Sequence, residues 1–164
     1  MNADIIKQYK YSGAASMILQ HENYMRSLYR TWLKAKELKI HLPKTEDEDY
    51  KSLETLLLHF VRSSRGYIIW ICEKLDLPDP RINAIPVVEN IDREADKYIN
   101  HLIERWKLPL VNVPEEKFYS PTFKSNWGVE YCVDAMLEHA VMHLIRHEYQ
   151  LKNLIKYQKG LSLN

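Results

Sequence analysis

Apolar residues recur along this chain at the three-to-four spacing of helices, broken mainly where prolines cluster. From Ala3 to Lys39 the pattern predicts a first helix with a weak point at Ser12-Gly13. Its apolar stripe is Met17, Tyr24, Leu28, Trp32 and Ala35, and Leu42-Pro43 ends it. Thr45-Glu46-Asp47-Glu48 reads as a capping box opening a second helix, in which the threonine side chain accepts from the third helical N–H and Glu48 reaches back. Leu53, Leu56, Leu57, Phe60, Tyr67, Ile68, Ile71 and Leu75 keep helical period until Pro78 and Pro80 stop it. A third helix follows Pro86, with Asn90 as its cap, and runs from Ile91 to Trp106 before Pro109.

Residues 107–124 carry Pro109, Pro114 and Pro121 and have no periodicity. A loop this long is either functional or a packed surface connection. The last helix is expected from Asn126 to Lys159, with lysines near its negative end and Gly160 as the stop. No strand is predicted, since Leu110-Val111-Asn112-Val113 is flanked by prolines. Four amphipathic helices imply an all-α chain, a four-helix bundle forming one domain over residues 1–164.

Composition narrows the classes. The 164 residues suffice for one core, and 46% hydrophobic with 27% charged residues excludes a largely disordered chain. The formal charge is +1 and no basic stripe occurs, so nucleic acid is not an expected partner. No run of about 18 apolar residues suggests a membrane span. The opening MNADIIKQYK lacks the apolar region of a signal peptide, and the cytoplasm is the expected compartment. Cys72 and Cys132 sit within apolar helical patterns and read as reduced core thiols.

The chemistry lies in Glu138-His139-Ala140-Val141-Met142-His143-Leu144-Ile145-Arg146-His147. Histidines at i, i+4 and i+8 line one side of a helix, and two imidazoles one turn apart can converge on one metal ion. His139 and His147 would lie about 12 Å apart along the axis, too far to share one ion. Spacing alone allows either adjacent pair. The apolar centre of this helix, set by Val133, Ala140, Leu144 and Leu151, separates them. His147 falls roughly 40° from it, His143 about 80° and His139 about 120°, so His143 and His147 make the better pair. A third ligand must come from another helix. His59 is the best candidate, with Ser63 and Gly66 leaving room beside it; His21, in line with Met17 and Leu28, competes. His41 and His101 lie near helix ends and look solvated.

Other metal and phosphate motifs are missing: the sequence has no HExxH, ExxH, HxxxE, CxxC or phosphate-cradling glycine loop. The stretch Leu56-Leu57-Leu58-His59-Phe60-Val61, followed by Tyr67 and Trp70, taken with His143-x3-His147-Glu148-Tyr149-Gln150-Leu151, resembles the DinB/YfiT-like superfamily. Gln150 and Leu151 match the end of that family's last motif, whereas Glu148 and Tyr149 stand where arginine and glycine are usual.

The resemblance implies a four-helix bundle of unusual helix order. One histidine of the second helix and an HxxxH pair of the last would bind a divalent metal, nickel or zinc, and the chains would form homodimers. It also implies an S-transferase that joins a low-molecular-weight thiol to an electrophile. His139, Glu138, Glu148 and Gln150 are then candidates for orienting ligands or moving protons. Arg62 or Arg146 could meet an acidic thiol. A metal-dependent hydrolase in the same pocket is the alternative enzyme. A stress-associated binding protein with a structural metal is the non-enzymatic one, and a fourth protein ligand such as His21 would favour it.

Overall fold

The computed structural model describes residues 7–160. Among these residues the chain is mostly helical, with five α-helices, two 3₁₀ turns and one two-stranded antiparallel pair. The expected first helix is α1, Ser12–Glu37, so its weak point at Ser12-Gly13 is where it begins. A Cβ on Gly13 would meet the Tyr11 ring at 2.2 Å, so only glycine lets Tyr11 fold back over the helix start. Residues 7–11 are not helical, and the expected residues 3–6 lie outside the described residues.

The ends of α1 and of α2, Leu53–Lys74, are not set by prolines. Lys39 and Asp76 take positive φ of 52° and 53°. The N–H groups of Ile40 and Leu77 then reach back to the carbonyls of Ala35 and Cys72. This is the Schellman closure, here with lysine and aspartate where glycine is usual. Ile40 is buried beneath its turn.

The capping box of α2 is also displaced from the expected one. Ser52 Oγ accepts from Thr55 N, and Thr55 Oγ1 accepts from Ser52 N. Thr45-Glu46-Asp47-Glu48 instead leads into a 3₁₀ turn, Glu48–Tyr50, whose Asp47 carboxylate accepts from Asp49 N. Helix α3 spans Ile91–Trp106 as expected, although Asn90 makes no side-chain cap to it.

The 107–124 stretch is a packed connection in which Leu110, Val113 and Phe118 are buried and α4, Glu116–Tyr119, makes one turn. Strands β1, Phe123–Lys124, and β2, Glu130–Tyr131, were not expected. They pair through a turn at Gly128, whose φ of 88° suits glycine. This hairpin takes up residues read above as helix, so α5 runs Val133–Lys159 rather than from Asn126.

Helix α5 packs along α1 and against α2, while α3 packs on α2 and α1. The buried apolar side chains form one cluster that includes Trp32, Phe60, Trp106 and Phe118. Cys72 is buried in α2, Cys132 sits half-buried at the start of α5, and both are free thiols. No described helix is long and apolar enough to cross a membrane.

Candidate metal centre

Where α2 crosses α5, the three imidazoles singled out above meet. His59 Nε2 lies 3.1 Å from His143 Nε2, which lies 3.1 Å from His147 Nε2. His143 and His147 are buried and His59 is half-buried, as their order on the helix wheel requires for α5.

The outer ring nitrogens fix what the inner ones can do. His59 Nδ1 is 2.9 Å from Asp49 Oδ2, and a carboxylate can only accept, so the proton is on Nδ1 and Nε2 carries a lone pair. His147 Nδ1 donates to Gln150 Oε1 at 3.1 Å, leaving its Nε2 as a lone pair too. Whatever its tautomer, His143 cannot satisfy both neighbours with one proton, and its buried Nδ1 has no hydrogen-bond partner among the described residues.

A divalent cation satisfies all three inward nitrogens at once. Zinc–imidazole bonds of about 2.0–2.1 Å place neighbouring nitrogens roughly 2.9–3.4 Å apart for right-angled to tetrahedral arrangements, and the observed spacing falls inside that range. These three histidines can therefore hold a metal ion.

Family models, curated proteins and solved structures give no match to this chain.

The electrostatics suit ligation. Burial, with the neighbouring imidazoles and the Arg146 charge behind it, lowers His143 to about 2. The same causes lower His147 to about 4. Both rings are thus neutral at pH 7, and no proton has to leave before a cation binds. Two groups that the sequence reading missed hold the ligands in place. Asp49 sits between His59 and Arg62, whose Nη1 is 3.1 Å from the second carboxylate oxygen. Arg62 is thereby paired rather than free for an acidic substrate. The Tyr50 hydroxyl lies 3.1 Å from His147 Nδ1. Both come from the 3₁₀ turn, whose placement against α2 leaves no periodic signal in sequence.

The other candidates are dispersed. Gln150 meets His147 Nδ1 through its side-chain oxygen. His139 is half-buried beside the cluster, its ring 6.4 Å from that of His143. It stacks on Trp127 at 5.4 Å, with Tyr67 and Tyr131 edge-on. Burial and Arg146 lower its pKa. Glu138 is exposed. Glu148, roughly 100° round α5 from His147, faces α1. Its Oε1 accepts from Ser27 and Thr31 and pairs with Lys152, so it ties helices together away from the histidines. His21 is likewise no member of the cluster. It stacks on Trp106 at 3.8 Å, and its Nε2 is 3.1 Å from Ser64 Oγ. Ser64 is roughly 140° round α2 from His59, which turns His21 to another face of that helix.

Outer hydrogen-bond partners of metal-binding histidines typically contribute 10- to 100-fold in affinity. Asp49→Asn is therefore expected to weaken zinc binding by about that factor while leaving the melting temperature of the metal-free protein within a few degrees. Calorimetric titration of the metal-free variant checks it.

Proposed function

We propose that this chain is a divalent-metal-dependent enzyme, a thiol S-transferase of the DinB/YfiT-like kind on a four-helix bundle. The observation that carries this reading is the convergence of three imidazole nitrogens, with the outer nitrogens of His59 and His147 engaged by Asp49 and Gln150. Three protein nitrogens leave room for a further ligand, as catalytic zinc sites do. His21, the candidate for a fourth, is engaged with Ser64 and Trp106. Nickel and zinc both suit imidazole.

When bound, the metal supplies positive charge that lowers the pKa of a thiol held against it, giving a nucleophile at neutral pH. The thiol sulfur forms a bond to the electrophilic carbon, the leaving group departs with its electron pair, and the thiol proton passes to solvent. That thiol comes from outside the chain. Cys72 is buried in α2, and burial with nearby Asp79 and Glu73 pushes it up to about 11. Cys132 is half-buried just before α5, outside the histidine group.

The test is conjugation of a panel of small thiols to electrophiles. Turnover is expected to fall to background when the thiol is omitted or the protein is stripped with a chelator, and to return on adding zinc or nickel. Ester or amide hydrolysis without any thiol would favour the hydrolase instead.

A further inference from the structure

Beside the three histidines lies a cavity of about 520 Å³, between the segment after α1, the Tyr50 turn and the second half of α5. Its walls are Leu42, Pro43, Leu56, Leu151 and Leu154, with Tyr157 and Asn153 at the rim. None of its lining residues carries a charge. Small-molecule sites are typically about 300–1,000 Å³, mostly apolar, with a few placed polar groups, and this cavity has that character.

Its polar groups gather where it meets the histidines. Tyr50, His147 and Gln150 all line it. The Tyr50 ring centroid is 5.9 Å from those of both His59 and His147, so Tyr50 forms the wall shared by cavity and cluster. The proton on His147 Nδ1 goes to Gln150, and the Tyr50 hydroxyl contacts no other partner than His147 among the described residues. Once a cation takes the His147 Nε2 lone pair, 3.5 Å from the Tyr50 hydroxyl, that O–H is left as a donor at the inner end of an apolar cavity.

We infer that this cavity receives the electrophilic substrate as an uncharged, apolar small molecule with one polar head, and that the Tyr50 hydroxyl donates to that head. The inference rests on the metal-dependent reading of the same site and adds the class of its second substrate. Two features argue for an uncharged ligand. A carboxylate in this cavity would find no side-chain cation to pair with, the metal's open position being kept for the thiol, and burying an unpaired charge is strongly unfavourable. Arg146, the exposed cation near the histidines, is not among the lining residues.

The test uses the full chain, zinc-loaded and metal-free, titrated with the uncharged fluorescent probe N-phenyl-1-naphthylamine and competed with 1-octanol or octanoate. One saturable site per chain is expected, and in the metal-free form 1-octanol should displace the probe at least about tenfold more effectively than octanoate. Leu154→Arg should weaken probe binding about tenfold and move the preference toward octanoate, because it supplies the missing cation. Asn153→Arg, at the exposed rim, should act in the same direction and remains readable if the first variant does not fold. Tyr50→Phe should weaken 1-octanol more than the probe.

Absence of saturable binding, equal displacement by octanoate in the metal-free form, or binding unchanged in both arginine variants would overturn the inference. So would probe binding that appears only when a dimer dissociates, since the occupant would then be a second copy of the chain. Zinc uptake is measured on the same samples. Uptake without probe binding overturns the cavity assignment and spares the metal reading. Probe binding without uptake overturns the metal reading and, with it, the occupant's role as substrate.

Discussion

Zinc binding is expected to disappear in His147→Ala and His59→Ala and to survive in His139→Ala and His21→Ala. The two sets differ in where their nitrogens point. His59 and His147 each present an Nε2 lone pair within 3.1 Å of His143 Nε2. His139 lies among Trp127, Tyr67 and Tyr131, and His21 lies between Ser64 and Trp106. Removing one of three ligands leaves two nitrogens and a half-open site.

The size of the effect follows from mass action. Zinc at a thousandfold above its dissociation constant stabilises the native state by about 4 kcal/mol. For a chain of this length each kcal/mol moves the melting temperature by about 2–4 °C, so the wild type should gain roughly 8–16 °C on adding zinc. His147→Ala and His59→Ala should gain almost nothing. His139→Ala should keep the full shift even if it slows turnover. The decisive comparison is His139→Ala against His147→Ala, because His143 belongs to both HxxxH pairs. Loss of the shift in the first with retention in the second would reverse the ligand assignment.

Trp106→Ala should be the most damaging single truncation outside the site. Trp106 is almost fully buried, its indole N–H donates to the Ser64 carbonyl at 3.2 Å, and its ring stacks on His21. Truncating a buried tryptophan costs about 3–5 kcal/mol, from lost apolar transfer and the cavity left behind. Here the loss also strips one face from His21, which burial lowers to about 3 and so holds neutral. The melting temperature should fall by roughly 6–20 °C, read by thermal denaturation of the metal-free protein. Zinc stoichiometry should not change, because this layer lies on a different face of α2 from His59. A drop of less than about 1 kcal/mol would mean that Trp106 and His21 do not pack as a layer.

The four long helices were legible in the sequence because each buries one stripe at a fixed period. Leu53, Leu56, Phe60 and Ile68 on α2 needed nothing beyond their spacing. Their ends were less legible, because they depend on conformations that residue type only weakly dictates. Lys39 and Asp76 adopt the left-handed turn without being glycine, Ser52 rather than Thr45 caps α2, and Gly128 bends residues 123–131 into a hairpin.

His143 and His147 were legible for the same reason as the helices, since burial on α5 follows the wheel, and His59 because it sits within the apolar run of α2. Asp49 and Tyr50 were not. They reach the site through a 3₁₀ turn that packs against α2, a tertiary arrangement with no period to detect. Glu148 follows His147 in sequence, yet one residue along a helix is a quarter turn away, toward Ser27 and Thr31.

The three-histidine site can hold one divalent cation. Its most direct test is metal analysis of the purified protein, followed by calorimetric titration of the metal-free form with zinc and with nickel. About one ion per chain is expected, with His59→Ala abolishing the binding heat. A metal-free protein that takes up neither ion after incubation with both would contradict it.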